Sequence, residues 1–334
     1  MTAVAIAKLA DGPEFEAGEG TTLLDAALAA GIVLPYSCRT GRCSTCKAKV
    51  RSGTTRALIA ESGLAPGEAE EGWILTCARA AVSDVVLEAE DLAGVTLHAP
   101  RTLPCRIAQL AHLAPDVIRV VLRVPPAADF AFIAGQYVDL IGPGGTRRSY
   151  SLANASFADK TLELHIRAVD GGAMSRYWFG QAKVNDLLRL HGPLGTFFLR
   201  DVARRDLIFL ATGTGIAPVK AMLESMAQLP VGQRPASTMV LWGGRKPHDL
   251  YLDVAAIPGD HAYIPVLSRP EEDWSGARGY VQDVLSALNP PLGEATVYAC
   301  GSDTMIHGAK DLLAKCGLGP GRFYSDAFVS SGVN

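Results

Sequence analysis

The sequence predicts a multidomain chain in three parts: a small α+β module, an antiparallel β-barrel and an α/β domain on a parallel sheet. Three observations carry that reading. The chain has 334 residues, about twice the roughly 150 of an ordinary domain. Cys38, Cys43, Cys46 and Cys77 crowd the first quarter, while Cys105, Cys300 and Cys316 stand alone. Beyond residue 105 the pattern changes from short strands with Gly/Pro turns to a repeated strand, glycine loop and helix.

Composition excludes several classes. Hydrophobic residues make up 49% and charged residues 19%, enough apolar surface to bury cores and unlike a disordered or collagenous chain. Lys+Arg 31 against Asp+Glu 34 leave a net charge of −3, with no basic excess to grip nucleic acid. No apolar run approaches the ~18 residues of a membrane span. Residues 1–8 lack a basic n-region, so no export signal is expected and a cytoplasmic protein is the default. An odd cysteine count then argues against a disulfide framework and for ligation or chemistry. Residues 1–92 carry 8 basic against 13 acidic side chains and the remainder 23 against 21. That asymmetry fits either separate domains or ordinary surface variation.

The first module is read at 1–92. Residues 4–9 alternate as a strand, and Asp11-Gly12 turns into a second strand around Phe15. Thr21-Thr22 precedes a helical pattern of Leu23, Leu24, Ala27 and Leu28 that Gly31 ends. After the cysteine loop, residues 85–88 close the module as a strand. Residues 93–104 lack a period and hold two prolines, as a linker does. The barrel domain spans 105–202, with strands at 105–111, 117–124, 136–141, 148–152, 161–168 and 187–191 and a short helix near Met174-Ser175. The last domain spans 203–334. Strands at 207–210, 238–242, 262–267 and 296–299 alternate with helices through Met226, near 279–288 and at 303–315, the mark of a parallel sheet with crossover helices.

Cys38-x4-Cys43-x2-Cys46, followed by Cys77, has the plant-type spacing of a [2Fe–2S] cluster. Three thiolates on one loop and a fourth from a distant segment can surround two irons. Arg39-Thr40-Gly41-Arg42 and Ser44-Thr45 are mostly small or polar and can turn backbone N–H groups toward the sulfurs. Zinc or free thiols are the alternative, although structural zinc usually wants paired C-x2-C knuckles and one is present.

Arg148-Ser149-Tyr150-Ser151-Leu152 alternates so that Arg148, Tyr150 and Leu152 share one face. It offers a charge for a pyrophosphate and a ring for stacking, or else a surface cross-strand pair. His165-Ile166-Arg167 with Gly171-Gly172-Ala173-Met174-Ser175 gives a second anion site, or a hairpin turn with a helix cap. Gly213-Thr214-Gly215-Ile216-Ala217-Pro218, between a strand and a helix, can place N–H groups and a positive helix end against a diphosphate. It departs from G-x-G-x-x-G, and no acidic residue stands about twenty positions on to hold a ribose. Cys300-Gly301 ends a strand, where open α/β sheets bind ligands; a buried, inert cysteine is the alternative.

In this order the motifs resemble the ferredoxin–NAD(P)H reductase superfamily with an N-terminal plant-type [2Fe–2S] domain. Its members include oxygenase reductase components and CDP-6-deoxy-Δ3,4-glucoseen reductase. The resemblance spans about residues 3–328. Segments 34–38, 72–77 and 323–328 look closest to the glucoseen reductase branch. It implies a β-grasp-like ferredoxin domain, a flavin barrel and a nicotinamide-nucleotide domain. Cys38, Cys43, Cys46 and Cys77 would hold the cluster. Arg148 would meet the flavin pyrophosphate, Tyr150 the isoalloxazine or ribityl, and Ser151 flavin N5. His165, Ile166 and Arg167 match the second flavin strand. Gly172, Met174 and Ser175 match a pyrophosphate turn, which implies FAD. Gly213, Thr214, Gly215 and Pro218 match the nucleotide loop, Cys300 and Gly301 a motif beside nicotinamide C4, and Phe328 an aromatic near the flavin ring. Ser151, Cys300 and Phe328 would shape hydride transfer.

The chemistry implied is NADH to FAD to cluster, because a nicotinamide gives two electrons at once, a cluster takes one, and a flavin handles both. No Rieske or di-iron motif is evident, so a separate electron-accepting protein, an oxygenase or dehydratase component, would complete the reaction. A reductase of a quinone or ferric complex is the alternative, and a non-enzymatic redox sensor a further one. The ribose region includes Gly243-Gly244-Arg245 and Ser268-Arg269-Pro270. Arg245 and Arg269 favour a 2′-phosphate, but Glu271, Glu272 and Asp273 repel one, which predicts NADH.

Overall fold

The computed structural model describes residues 4–155 and 159–328. The chain divides into two compact units, one holding residues up to Leu97 and the other His98–Phe328. The ends of the predicted 1–92 and 203–334 ranges, 1–3 and 329–334, lie outside the described residues.

The first unit contains β1 (Ala5–Leu9), β2 (Glu14–Ala17), α1 (Leu23–Ala29), β3 (Lys47–Ser52), β4 (Thr55–Ala57), β5 (Trp73–Leu75), β6 (Arg79–Ala81) and β7 (Val85–Glu88). A five-stranded sheet runs β2-β1-β7-β3-β5, and β4 pairs with β6. Only the β1–β7 pair in that sheet is parallel. Thr22 caps α1 by accepting the Asp25 N–H at 3.0 Å, satisfying an otherwise orphaned helix donor. Leu23, Leu24 and Ala27 are buried against Phe15, Leu75 and Leu87, so the sheet grips the helix.

The second unit opens with β8 (Arg101–Ala114), β9 (Val117–Arg123), β10 (Tyr137–Ile141), β11 (Arg147–Ser151), β12 (Thr161–Arg167), α2 (Ala173–Gly180) and β13 (Leu187–Leu194). The order β11-β10-β13-β8-β9-β12 is antiparallel throughout. A bridge between Leu152 and Leu164 joins the two outer strands and closes the barrel. One expectation is corrected. Residues 101–104 are strand rather than linker, paired with 189–192 of β13. Pro104 is tolerated because β9 pairing starts only at Arg106, leaving one side of β8 open at the proline.

The α/β lobe follows: β14 (Asp206–Thr212), α3 (Ile216–Ala227), β15 (Ser237–Gly244), β16 (Ala262–Leu267), β17 (Ala277–Arg278), α4 (Val281–Leu288), β18 (Thr296–Gly301), α5 (Asp303–Lys315) and β19 (Phe323–Ala327). All neighbours in the order β17-β16-β15-β14-β18-β19 are parallel. Phe209, Trp242 and Tyr298 fill its core. Residues 323–327, which periodicity left without an element, form an outer strand.

Barrel and lobe meet through a buried polar cluster. The Glu163 carboxylate receives Arg119 at 2.6 and 2.8 Å, His165 at 3.0 Å and Lys220 of α3 at 3.2 Å. Burial pushes its carboxyl up, but hydrogen bonds from His165 and Arg119 and the Lys220 charge outweigh this and hold it down at about 2. A depressed carboxylate stabilises the fold fully above its ordinary value of 4.5 and loses that contribution as pH falls through its folded value. Glu163→Gln is therefore expected to melt at lower temperature than wild type at pH 7, with the gap narrowing toward pH 2.5. Thermal melts across that range check this; a gap independent of pH would contradict it.

Candidate functional site

The cysteine loop is built from backbone shapes that few residues adopt. Arg39, Gly41 and Ser44 all have positive φ, at 56°, 72° and 60°. A Cβ on Gly41 would collide with the Ala60 carbonyl oxygen, so the loop closes only with glycine there. Segment 60–63 clamps it from outside. The Gly63 N–H donates to the Gly41 carbonyl at 2.9 Å, and the Ser44 hydroxyl donates to the Gly63 carbonyl. Glu61 ties the clamp to the fourth cysteine's segment, accepting the Leu75 N–H at 2.7 Å and Arg79 at 2.7 Å.

The four thiols fall into two pairs, Cys38 with Cys43 and Cys46 with Cys77. A two-iron centre held by four thiolates takes two at each iron, and this grouping fits it. The Cys38 N–H points at Cys43 Sγ at 3.5 Å, and the Thr40 N–H at Cys38 Sγ at 3.4 Å. The Gly41 N–H serves Cys77. Such donors favour negative sulfur. The Cys43 thiol and the Thr40 and Arg42 amides hold Cys38 down at about 4, while donation to Cys38 pushes Cys43 up.

A cavity of about 870 Å³ opens in the second unit at the carboxyl ends of the parallel strands. Gly213 and Thr214 follow β14, Gly244 and Arg245 end or follow β15, and Ser302 caps α5. Such strand ends, with helix N-termini facing in, suit a diphosphate. Gly215 has no room for a side chain, because a Cβ would strike the Cys300 carbonyl oxygen. Trp242 pins the loop by donating from Nε1 to the Gly213 carbonyl at 2.9 Å.

Arg167, at the end of β12, lines the same cavity, as does Phe328. Its Nε is buried without a hydrogen bond and lies 3.4 Å from an Asp116 oxygen, while Nη2 donates to Asp249 at 3.4 Å. A guanidinium at a cavity wall fits an anionic ligand. Asp249 was not found from sequence. Its carboxylate accepts the Arg245 and Lys246 N–H groups at 2.8 and 3.0 Å, fixing the turn that presents Arg245. Burial pushes Asp249 up, but those two N–H groups and Arg167 hold it below the usual range. Its two N–H partners are local, but Arg167 comes from the barrel and leaves no mark in the neighbouring sequence.

The barrel motifs also come together. Tyr150 on β11 packs edge-on to Trp178 of α2, ring centroids 6.3 Å apart, and accepts its Nε1–H at 3.1 Å. Burial pushes the Tyr150 phenol up to about 12. Gly172 caps α2, and Ser175 Oγ accepts the Val169 N–H at 2.8 Å, holding the glycine turn. Arg148 is half-buried, and Ser151 is buried. A charge beside a ring and a glycine turn at the start of α2 form a donor set that suits a flavin nucleotide.

Other predicted side chains stand elsewhere. Ile166 and Met174 are in the barrel core. His165 does not face the cavity: Nε2 meets Glu163 and Nδ1 meets Tyr251 Oη at 3.2 Å. Cys300 is fully buried beneath the loop and is not among the cavity-lining residues. Burial, then Asp326, pushes its thiol up. The sulfur packs under the loop as a neutral thiol. Pro218 and Gly301 are likewise buried behind it.

Comparison with known proteins gives three family matches. Residues 8–82 match the 2Fe-2S iron-sulfur cluster binding domain, 104–199 the oxidoreductase FAD-binding domain and 209–311 the oxidoreductase NAD-binding domain. The chain is 40% identical over 319 residues to the CDP-6-deoxy-L-threo-D-glycero-4-hexulose-3-dehydrase reductase of Yersinia pestis, covering 94% of this chain and 95% of that one. It is 33% identical over 325 residues to the toluate 1,2-dioxygenase electron transfer component of Pseudomonas putida, covering 95% of each. Among solved structures, an Amycolatopsis cytochrome P450 reductase matches with a TM-score of 0.76 at 30% identity, over 97% of this chain and 98% of that one.

Gly41→Ala is expected to abolish the iron–sulfur absorbance while leaving flavin content unchanged, because the two sites lie in different units. Iron and acid-labile sulfide assays check this; a variant with full sulfide would show that the loop tolerates the side chain.

Proposed function

The chain belongs to the family of reductases that join a [2Fe–2S] domain to FAD- and NAD-binding oxidoreductase domains, and on that premise we propose that it carries electrons from NADH to a separate protein. When bound, FAD accepts a hydride and gives single electrons to the cluster. The observation that carries the reading is the shared cavity. The nucleotide loop at Gly213-Thr214, Arg167 from the barrel and Phe328 all face it, and hydride transfer needs donor and acceptor held in contact.

The residues divide the work. Arg148 and the Gly172–Ser175 turn hold the flavin phosphates, Tyr150 covers the ring system, and Ser151 and Phe328 border the hydride path. Thr212, Gly213 and Ser302 hold the nucleotide diphosphate at the helix ends. Cys38, Cys43, Cys46 and Cys77 hold the cluster. The accepting protein is a dehydratase component acting on a CDP-6-deoxyhexulose, in preference to an aromatic-ring oxygenase. The support is 40% identity to the Yersinia reductase against 33% to the toluate component, each over at least 94% of the chain. The protein works in the cytoplasm, where NADH is made. Reconstitution with a purified dehydratase and with an oxygenase tests the pairing. NADH consumption coupled to the oxygenase alone would overturn it.

Arg148→Ala is expected to weaken FAD binding ten- to hundred-fold, since a charge-assisted contact is worth about 1.5–3 kcal/mol. Flavin retained in full after dialysis would make Arg148 a surface residue.

NADH is expected to exceed NADPH modestly in kcat/KM. Glu271, Glu272 and Asp273 are exposed, so salt screens their repulsion of a 2′-phosphate, while Arg245 lines the cavity. Reduction of an artificial acceptor with each nucleotide checks this; a higher value with NADPH would show Arg245 reading the phosphate.

A further inference from the structure

We propose that Lys220 and Glu224 are positioning residues that set the flavin strand against the nucleotide loop for hydride transfer. Helix α3 starts at the nucleotide loop, since the Gly213–Gly215 turn runs directly into Ile216. Lys220 and Glu224 lie one turn apart on it and pair at 2.6 Å. Both reach the segment just after the flavin strand. Lys220 Nζ donates to the Ala153 carbonyl at 2.9 Å, and Glu224 Oε2 accepts the Ala155 N–H at 3.1 Å. Ala153 is two residues beyond Ser151.

That segment is stiff. The Ala153 N–H donates to the Glu163 carbonyl at 2.7 Å. Asn154 donates to the carbonyls of Ala155 and Thr161, each at 3.0 Å, and accepts the Glu163 N–H at 2.9 Å. The helix that follows the nucleotide loop is therefore fastened to backbone, one donor and one acceptor, beside the flavin serine. Apolar packing alone would hold the lobes together but let them slide, since it is non-directional. Two hydrogen bonds of opposite sense to main-chain groups two residues apart fix register. Lys220 also meets Glu163, so the fastening is continuous with the buried cluster. Reacting atoms must approach to about 3–3.5 Å, and a misplacement of about 1 Å can slow the reaction on the order of a hundredfold.

This rests on the proposed hydride path from NADH to FAD. The test compares wild type with Lys220→Met, Glu224→Ala and Lys220→Arg as loaded protein. Three quantities are measured: flavin bleaching by NADH in rapid mixing, equilibrium affinity for NAD+, and amide hydrogen exchange over 150–155. The expected result for Lys220→Met and Glu224→Ala is normal FAD and iron content and NAD+ affinity within about twofold. Bleaching should be roughly tenfold slower or more, and exchange at Ala155 faster. Lys220→Arg should recover most of the rate. Bleaching within about twofold of wild type in both variants would overturn the proposal, as would loss of FAD, which would assign these residues to flavin retention. If Lys220→Met does not fold, Glu224→Ala decides. Wild type that NADH fails to bleach would overturn the functional reading instead, and unchanged exchange at Ala155 would still refute the fastening.

Discussion

Three nitrogen-bearing side chains converge on the buried carboxylate of Glu163: Arg119 from β9, His165 from its own strand and Lys220 from the α/β lobe. Removing charge from water costs more than one ion pair repays unless the remaining hydrogen bonds are also made. Here they are made, and they come from both sides of the barrel–lobe boundary. Lys220 adds the lobe's charge to the two barrel donors, so the ionised carboxylate ties the lobes' alignment to its own stabilisation. That alignment brings Arg167, the last residue of the Glu163 strand, to the cavity that the nucleotide loop lines. The geometry of the cavity thus depends on a polar cluster that does not line it.

The cysteine loop solves a similar problem in the first unit. Sulfur charge is buried, and the Thr40, Gly41 and Arg42 amides are turned inward to meet it. Positive φ at Arg39, Gly41 and Ser44 sets the path of this loop. Such backbone is strained for Arg39 and Ser44, and it persists because the 60–63 clamp and Glu61 hold the loop from outside.

Legibility followed the reach of each constraint. The match to an iron–sulfur domain was readable in the cysteine spacing because ligation fixes residue type and spacing together. The barrel and the parallel sheet were readable because burial imposes alternation on one and strand–helix alternation on the other. Strands β4, β5 and β6 were missed because three residues carry no period. The start of β8 was missed because Pro104, with Pro100 just before the strand, looks like linker, and only pairing with β13 makes it strand. His165 and Cys300 sit inside recognisable motifs, yet tertiary packing points one at Glu163 and buries the other under Gly215. Asp249, Lys220 and Glu224 carry no motif. Beside partners three or four residues off, each has one that lies 82, 67 or 69 residues away in sequence, and it is that contact which no local window shows.

The central claim is that electrons reach the cluster only by way of the flavin. The most direct measurement is anaerobic reduction by NADH of protein stripped of flavin but holding its cluster, followed by the cluster's visible absorbance. The account predicts that the cluster stays oxidised until FAD is restored and then bleaches. Equal bleaching with and without flavin would contradict it.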